Sequence, residues 1–167
     1  IQHPYFQRLN RIKQLGLASL VYPGAQHTRL QHSLGAMYLT DEAIKQIRSH
    51  GHDITRDEAD GVLAAILLHD IGHGPFSHVL EDSITKDIRH EEISILIMEQ
   101  INREMGGKLE MALSIFQDRY PKRFLHQLLS GQLDMDRMDY LRRDSYYSGV
   151  TEGNIGSARI IKMLNVK

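Results

Sequence analysis

The chain has no cysteine, no tryptophan and only 4 prolines in 167 residues. The missing cysteines exclude disulfides and thiolate ligands, so any bound metal must be held by imidazole and carboxylate, a donor set open to divalent Mn, Fe, Zn, Ni or Mg. An excess of one charge is missing too: 20 Lys and Arg stand against 21 Asp and Glu, for a formal net charge of −1. That balance denies the chain the basic field that holds duplex nucleic acid, so nucleic acid is not an expected partner and any polyanion must be gripped locally. No apolar run approaches the roughly 20 residues of a membrane span, and the opening Ile1-Gln2-His3-Pro4 lacks the layout of a signal peptide. A cytoplasmic protein without a membrane partner is therefore expected. The absent initiator Met and the end at Lys167, directly after an amphipathic stretch, read as a fragment of a longer chain.

Strand patterns are lacking as well. No run of four or more residues alternates convincingly between apolar and polar with hairpin turn signals, whereas apolar residues recur at helical spacing in several segments. The expected fold is all-α, one domain over residues 1–167, and the 41% hydrophobic content suffices for a substantial core. Tyr5 to Leu15 reads as a first helix stopped by Gly16. Thr28-Arg29-Leu30-Gln31 and Thr55-Arg56-Asp57-Glu58 are capping-box patterns, opening one helix that ends at Gly51 and a core-facing one that ends at Leu68. His90-Glu91-Glu92 places acids at the positive end of a further helix, whose Ile93, Ile97, Ile101 and Met105 read as its core stripe. Shorter helices are expected near 108–118, 122–130, 137–143 and 154–165.

What the sequence has in abundance is histidine, 10 residues of it. The run Ile66-Leu67-Leu68-His69-Asp70-Ile71-Gly72-His73-Gly74-Pro75-Phe76-Ser77-His78 ends an apolar helix on three histidines and an aspartate. On a helix His69 and Asp70 diverge by about 100°, so both reach one ion only where the helix ends and the backbone bends, a bend assigned to Gly72 and Gly74-Pro75. Charge at the end of a buried helix is costly without a partner, and a metal supplies one. A second His-Asp pair, His52-Asp53, lies between Gly51 and the cap of the next helix and reads as a solvated loop. Further ligands must come from other helices, with His32, His73, His78, His90 and Asp136 as candidates. Asp136 lies in Leu133-Asp134-Met135-Asp136-Arg137-Met138-Asp139-Tyr140-Leu141-Arg142-Arg143-Asp144, where it shares a helical face with Asp139 and Tyr140. Spacing alone leaves a charge-laced solvent face as the plainer account of that segment.

Taken in order, Phe6-Gln7-Arg8-Leu9, Gln14-Leu15-Gly16, Tyr22-Pro23-Gly24-Ala25, His27-Thr28-Arg29-Leu30-Gln31-His32-Ser33-Leu34-Gly35, the His69–His78 run, His90-Glu91 and Asp134–Tyr140 resemble the HD-domain phosphohydrolases. Within them the likeness is to the branch of bacterial deoxynucleoside triphosphate (dNTP) triphosphohydrolases and the vertebrate SAM-and-HD-domain enzyme. The resemblance implies a helical bundle with a metal between its helices, held by His32, His69, Asp70 and Asp136. It also implies catalytic roles for His78, as proton donor or orienting group beside the α-phosphate, and for Glu81 and His90 around it. His73 flanks the same place, Arg29 and Arg137 match phosphate contacts, and Gln14, Leu15, Tyr140 and Asp144 match positions around the deoxyribose. A dimer or tetramer is the implied assembly.

These residue types suit phosphoryl chemistry. A polarising metal lowers the pKa of bound water, arginines neutralise non-bridging oxygens, and a histidine with a pKa near 6.5 gives up a proton at neutral pH. The expected reaction is dNTP plus water to deoxynucleoside plus triphosphate. Another HD phosphohydrolase acting on nucleoside monophosphates or cyclic (di)nucleotides, or a non-catalytic nucleotide-sensing module, remains the alternative at this point.

Overall fold

The computed structural model describes residues 1–76 and 89–166. Among them are eight α-helices and no strand: α1 Pro4–Gln7, α2 Arg29–Ser49, α3 Arg56–Leu68, α4 His90–Glu104, α5 Glu110–Phe116, α6 Arg123–Gln127, α7 Met135–Ser148 and α8 Ser157–Lys162. His78 and Glu81 fall outside the described residues.

Both capping boxes form. Thr28 N–H donates to Gln31 Oε1 at 2.9 Å and Thr55 N–H to Glu58 Oε2 at 2.8 Å, while each threonine hydroxyl accepts from the amide three residues on. These caps satisfy amide donors that a helix start otherwise leaves open. α2 packs against α3 on one side and α7 on the other, and α3 packs against α5. Ile44, Ile66, Ile71, Met98, Met135 and Met138 are buried in the core between them.

The first helix is shorter than its periodicity predicts. α1 ends at Gln7, a 3-10 turn covers Arg8–Arg11, and the chain then straightens. Gln14 N–H donates to His27 O at 3.0 Å and Arg29 N–H to Ile12 O at 2.9 Å, so pairing with the approach to α2 overrides the local helical pattern. α7 is longer than the expected 137–143. Asp134 caps it by accepting from Arg137 N–H at 2.6 Å, and Gly149 ends it in the left-handed region at φ 77°. Its apolar content is so low that periodicity marks only the middle.

The stripe assigned to α4 is also rotated. Ser94, Met98, Ile101 and Asn102 are buried, whereas Met105 is exposed. The cause is a polar clamp at the start of that helix: Ser94 Oγ donates to His69 O at 2.8 Å and accepts from Gly72 N–H at 2.9 Å. Gly72 is needed here for space. It does not have a positive φ, but a Cβ on it would lie 2.2 Å from His90 O and 2.4 Å from Ser94 N. The bend assigned to Gly72 and Gly74 thus forms without left-handed backbone at either position. It is secured by Arg8, whose Nη2 donates to Ile71 O at 2.5 Å.

Candidate metal centre and adjoining cavity

Three helices bring His32, His69 and Asp136 together. α2 carries His32 in its first turn, the C-terminal end of α3 presents His69, and α7 offers Asp136 in its own first turn. One ligand atom from each lies within 4.8 Å of the other two. Asp136 Oδ1 is 2.9 Å from His32 Nε2 and 3.3 Å from His69 Nε2, and the two Nε2 atoms are 3.3 Å apart. Asp70 borders this cluster, with Oδ1 3.3 Å from His69 Nε2 and Oδ2 3.9 Å from His32 Nε2. Its other oxygen contacts are Arg29, whose Nη1 donates to Oδ2 at 2.6 Å, and His73 Nε2 at 3.3 Å from Oδ1.

The outer nitrogens of both imidazoles are fixed. His69 Nδ1 meets Ile66 O at 2.6 Å and His32 Nδ1 meets Asp139 Oδ2 at 2.8 Å. Each partner can only accept, so Nδ1 keeps its proton and both Nε2 atoms face Asp136. Electrostatics favours positive charge there. Burial works against the imidazolium of His32, but hydrogen bonds to Asp136 and Asp139, helped by Asp70, raise its pKa to about 10. Burial likewise opposes the charged forms of Asp70 and Asp136. It is outweighed by His69, His73 and Arg29 for Asp70, and by His32 and His69 for Asp136, leaving both carboxyls well below the ordinary range. Two converging imidazoles with carboxylates between them are a hard-to-borderline N/O donor set, and a divalent ion supplies the positive charge that the carboxylates otherwise draw from protons. The residues present therefore fit a metal.

His73 is different. Burial, with Arg29 and His90 adding to it, lowers its pKa to about 4 despite the bond to Asp70, so it is neutral at pH 7. It stacks on His90 at a ring-centroid distance of 3.8 Å and an interplanar angle of 21°.

Beside the cluster opens a cavity of about 360 Å³ whose wall includes Gln14, Leu15, Arg29, Tyr140 and Asp144. Arg29 belongs to both places, and the Tyr140 ring stands edge-on to His32 at 6.4 Å. Two polar atoms of this wall, Gln14 Oε1 and Arg29 Nε, are buried without a hydrogen-bond partner among the described residues. Arg137 is exposed on α7 and does not line this cavity.

Two residues with places in this arrangement carried no assigned role. Asp139 holds His32, a contact that its shared face with Asp136 could have suggested. His27 is fully buried, donates or accepts at Nε2 with Asp144 Oδ1 at 2.7 Å, and stacks on Tyr147 at 4.8 Å. Nothing in its spacing marks that pairing, because 117 residues separate the partners. His52-Asp53 takes no part: His52 Nε2 contacts Asn165 Oδ1 at 2.7 Å, and the Asp53 side chain is 86% exposed.

The family model described as HD domain matches residues 29–144, from the first residue of α2 to Asp144 in α7, and so contains all four expected ligands. The chain belongs to the HD-domain family. It is 37% identical over 166 residues to the uncharacterized protein YwfO of Bacillus subtilis, covering 95% of this chain and 38% of that one. It is 36% identical over 163 residues to the deoxynucleoside triphosphate triphosphohydrolase SAMHD1 homolog of Dictyostelium discoideum, covering 86% of this chain and 32% of that one. A crystal structure of a phosphohydrolase from Bacteroides thetaiotaomicron superimposes with a TM-score of 0.96 at 70% identity, over 99% of this chain and 42% of that one. The HD-domain chain thus spans less than half the length of each of these proteins. Its place is in the HD phosphohydrolase superfamily.

Proposed function

We propose that this HD domain hydrolyses a nucleotide with the help of a divalent metal, and that the nucleotide is a dNTP cut at its α-phosphate to give deoxynucleoside and triphosphate. The observation that carries this reading is the wall of the 360 Å³ cavity, where buried Gln14 Oε1 and Arg29 Nε have no hydrogen-bond partner among the described residues. An unmade hydrogen bond on a buried polar atom costs about 1–3 kcal/mol, so a polar ligand that completes both is favoured there. The 36% identity to the deoxynucleoside triphosphate triphosphohydrolase SAMHD1 homolog of Dictyostelium supports the dNTP class.

An ion held by His32, His69 and Asp136, with Asp70 beside it, would screen phosphate charge and lower the pKa of attacking water. Arg29, steered by Asp70, faces both the cluster and the cavity and is placed to neutralise a non-bridging oxygen. Gln14, Tyr140 and Asp144 line the part of the wall assigned to the sugar, and Asp144 is oriented by His27. As water's oxygen bonds to phosphorus and the P–O5′ bond breaks, the leaving 5′ oxygen takes a proton, the role given to His78 with Glu81 and His90 around it. Arg137, exposed beside Asp136, is given a phosphate reaching outside the cavity. No described helix is long and apolar enough to cross a membrane, and we place the domain in a cytoplasmic homo-oligomer.

Release of triphosphate from each dNTP and from GTP by metal-loaded protein tests this. Release that depends on dNTP and metal is expected; bound metal with no triphosphate from any dNTP would overturn the substrate assignment.

A further inference from the structure

We propose that Asp139, clamped by Arg143, is the positioning residue that fixes His32 as a metal ligand. The inference rests on the metal reading of the cluster and goes beyond it by assigning the support behind one ligand.

The His32 ring has no exposed surface and is gripped at both nitrogens, by Asp136 at Nε2 and by Asp139 at Nδ1. Asp139 is itself only 6% exposed. Arg143, one turn further along α7, closes on it in a fork: Nε donates to Oδ2 and Nη2 to Oδ1, both at 2.8 Å. Such bidentate pairing keeps the carboxylate ionised and restricts its rotation. An ionised carboxylate can only accept, so the proton stays on His32 Nδ1 and the lone pair on Nε2 faces the other ligands.

The opposite helix is shaped to admit this fork. Gly35 stands on α2 one turn beyond His32, and a Cβ there would lie 2.0 Å from Asp139 Oδ1 and 2.1 Å from Arg143 Nη2. A pair at i and i+4 on an exposed helix is worth little. This one is pressed against a neighbouring backbone and shares its carboxylate with a buried imidazole. His69 obtains the same orientation from a backbone carbonyl, Ile66 O, which no side-chain substitution removes. His32 depends on two side chains and a glycine.

The test is zinc affinity, measured by competition with a chromophoric chelator, together with long-range ¹H–¹⁵N histidine spectra of the zinc-loaded protein. Asp139→Asn is expected to weaken zinc binding about 10- to 100-fold and to shift the His32 Nδ1 and Nε2 resonances while leaving those of His69 in place. Arg143→Gln leaves the carboxylate present and is expected to cost about tenfold, the lower end of that range, with partial recovery in Arg143→Lys. Zinc affinity and a His32 pattern like the wild type in Asp139→Asn overturn the proposal. Should that variant not fold, undiminished affinity in Arg143→Gln overturns it. Zinc binding by the wild type that leaves the His32 resonances unmoved fells the metal reading itself, and this inference with it, which separates the two failures.

Discussion

Helix α3 has a His-Asp dipeptide at each end, His52-Asp53 before its cap and His69-Asp70 after its last turn. The two pairs are chemically identical and their surroundings are opposite. At the N-terminal end the Asp53 side chain is 86% exposed, and the buried charge nearby, Glu58, is fully answered by protein groups. Tyr120 O–H and Lys122 Nζ donate to its two oxygens at 2.8 and 2.9 Å, and the Thr55 amide adds a third bond. At the C-terminal end the Asp70 side chain is 9% exposed, and the imidazole of His69 converges with that of His32 on one carboxylate oxygen. A buried charge whose partners complete it serves stability. Two Nε2 atoms 3.3 Å apart and turned toward one carboxylate oxygen form instead a donor set that a cation can complete.

The sharpest break of this comparison is to remove each dipeptide in turn. His69→Ala with Asp70→Ala is expected to abolish metal binding and lower hydrolysis by at least about a thousandfold, since a catalytic metal supplies several kcal/mol at about 1.36 kcal/mol per decade. His52→Ala with Asp53→Ala should leave both unchanged and shift stability by no more than about 0.5 kcal/mol. Metal content and turnover of the two variants decide this, and equal losses would erase the distinction.

The glycines beside the two pairs sharpen it next. In Gly72→Ala the new Cβ overlaps the backbone of α4, so thermal or denaturant unfolding should show a loss of about 1–3 kcal/mol or more. Gly51 has φ 87° and open space around its Cβ position, so Gly51→Ala should cost about 1 kcal/mol from backbone strain alone. Thr55→Ala, which deletes the cap of α3, belongs at about 1 kcal/mol in the same unfolding assay, with metal binding intact.

A last and milder contrast lies in pH. Burial alone would raise the pKa of Glu58, but the Lys122 ammonium, the Thr55 amide and the Tyr120 hydroxyl outweigh it and bring it to about 2. The folded-state value is depressed, so this stabilisation is present above the ordinary value of 4.5 and is lost as pH falls from there toward 2. Urea unfolding at pH 7 and pH 3 should show a smaller loss on acidification in Glu58→Gln than in the wild type. An equal slope would mean that Glu58 is not held as its contacts indicate.

Much of this was legible locally. Thr28 and Thr55 announce their helices because a capping box is a contact among neighbours three residues apart. Zero cysteines restrict the donor set to nitrogen and oxygen by chemistry alone. The resemblance placed Gln14, Leu15, Arg29, Tyr140 and Asp144 around a sugar and phosphates, and the fold gathers those five around one cavity. What escaped was settled by contacts distant in sequence. The end of the first helix depends on Lys13 pairing with Thr28, and the buried face of α4 on a bond from Ser94 to His69 O. The full length of α7 escaped for the opposite reason, since a helix rich in Asp and Arg with two buried methionines carries a periodic signal only near 137–143.

The sequence by itself determined that the protein is helical, where its two main helices begin, and that a buried His-Asp pair must be answered by further His and Asp donors. Those properties follow from spacing, capping and donor chemistry, which act over a few residues. Only the tertiary structure decided which donors meet and what stands behind them: that Asp136 lies between two imidazoles, that Asp139 with Arg143 holds His32, and that His27 reaches Asp144. Helices α2, α3 and α7 must pack before any of these side chains are neighbours, and that packing is set by burial of a shared apolar core to which the site residues themselves contribute little.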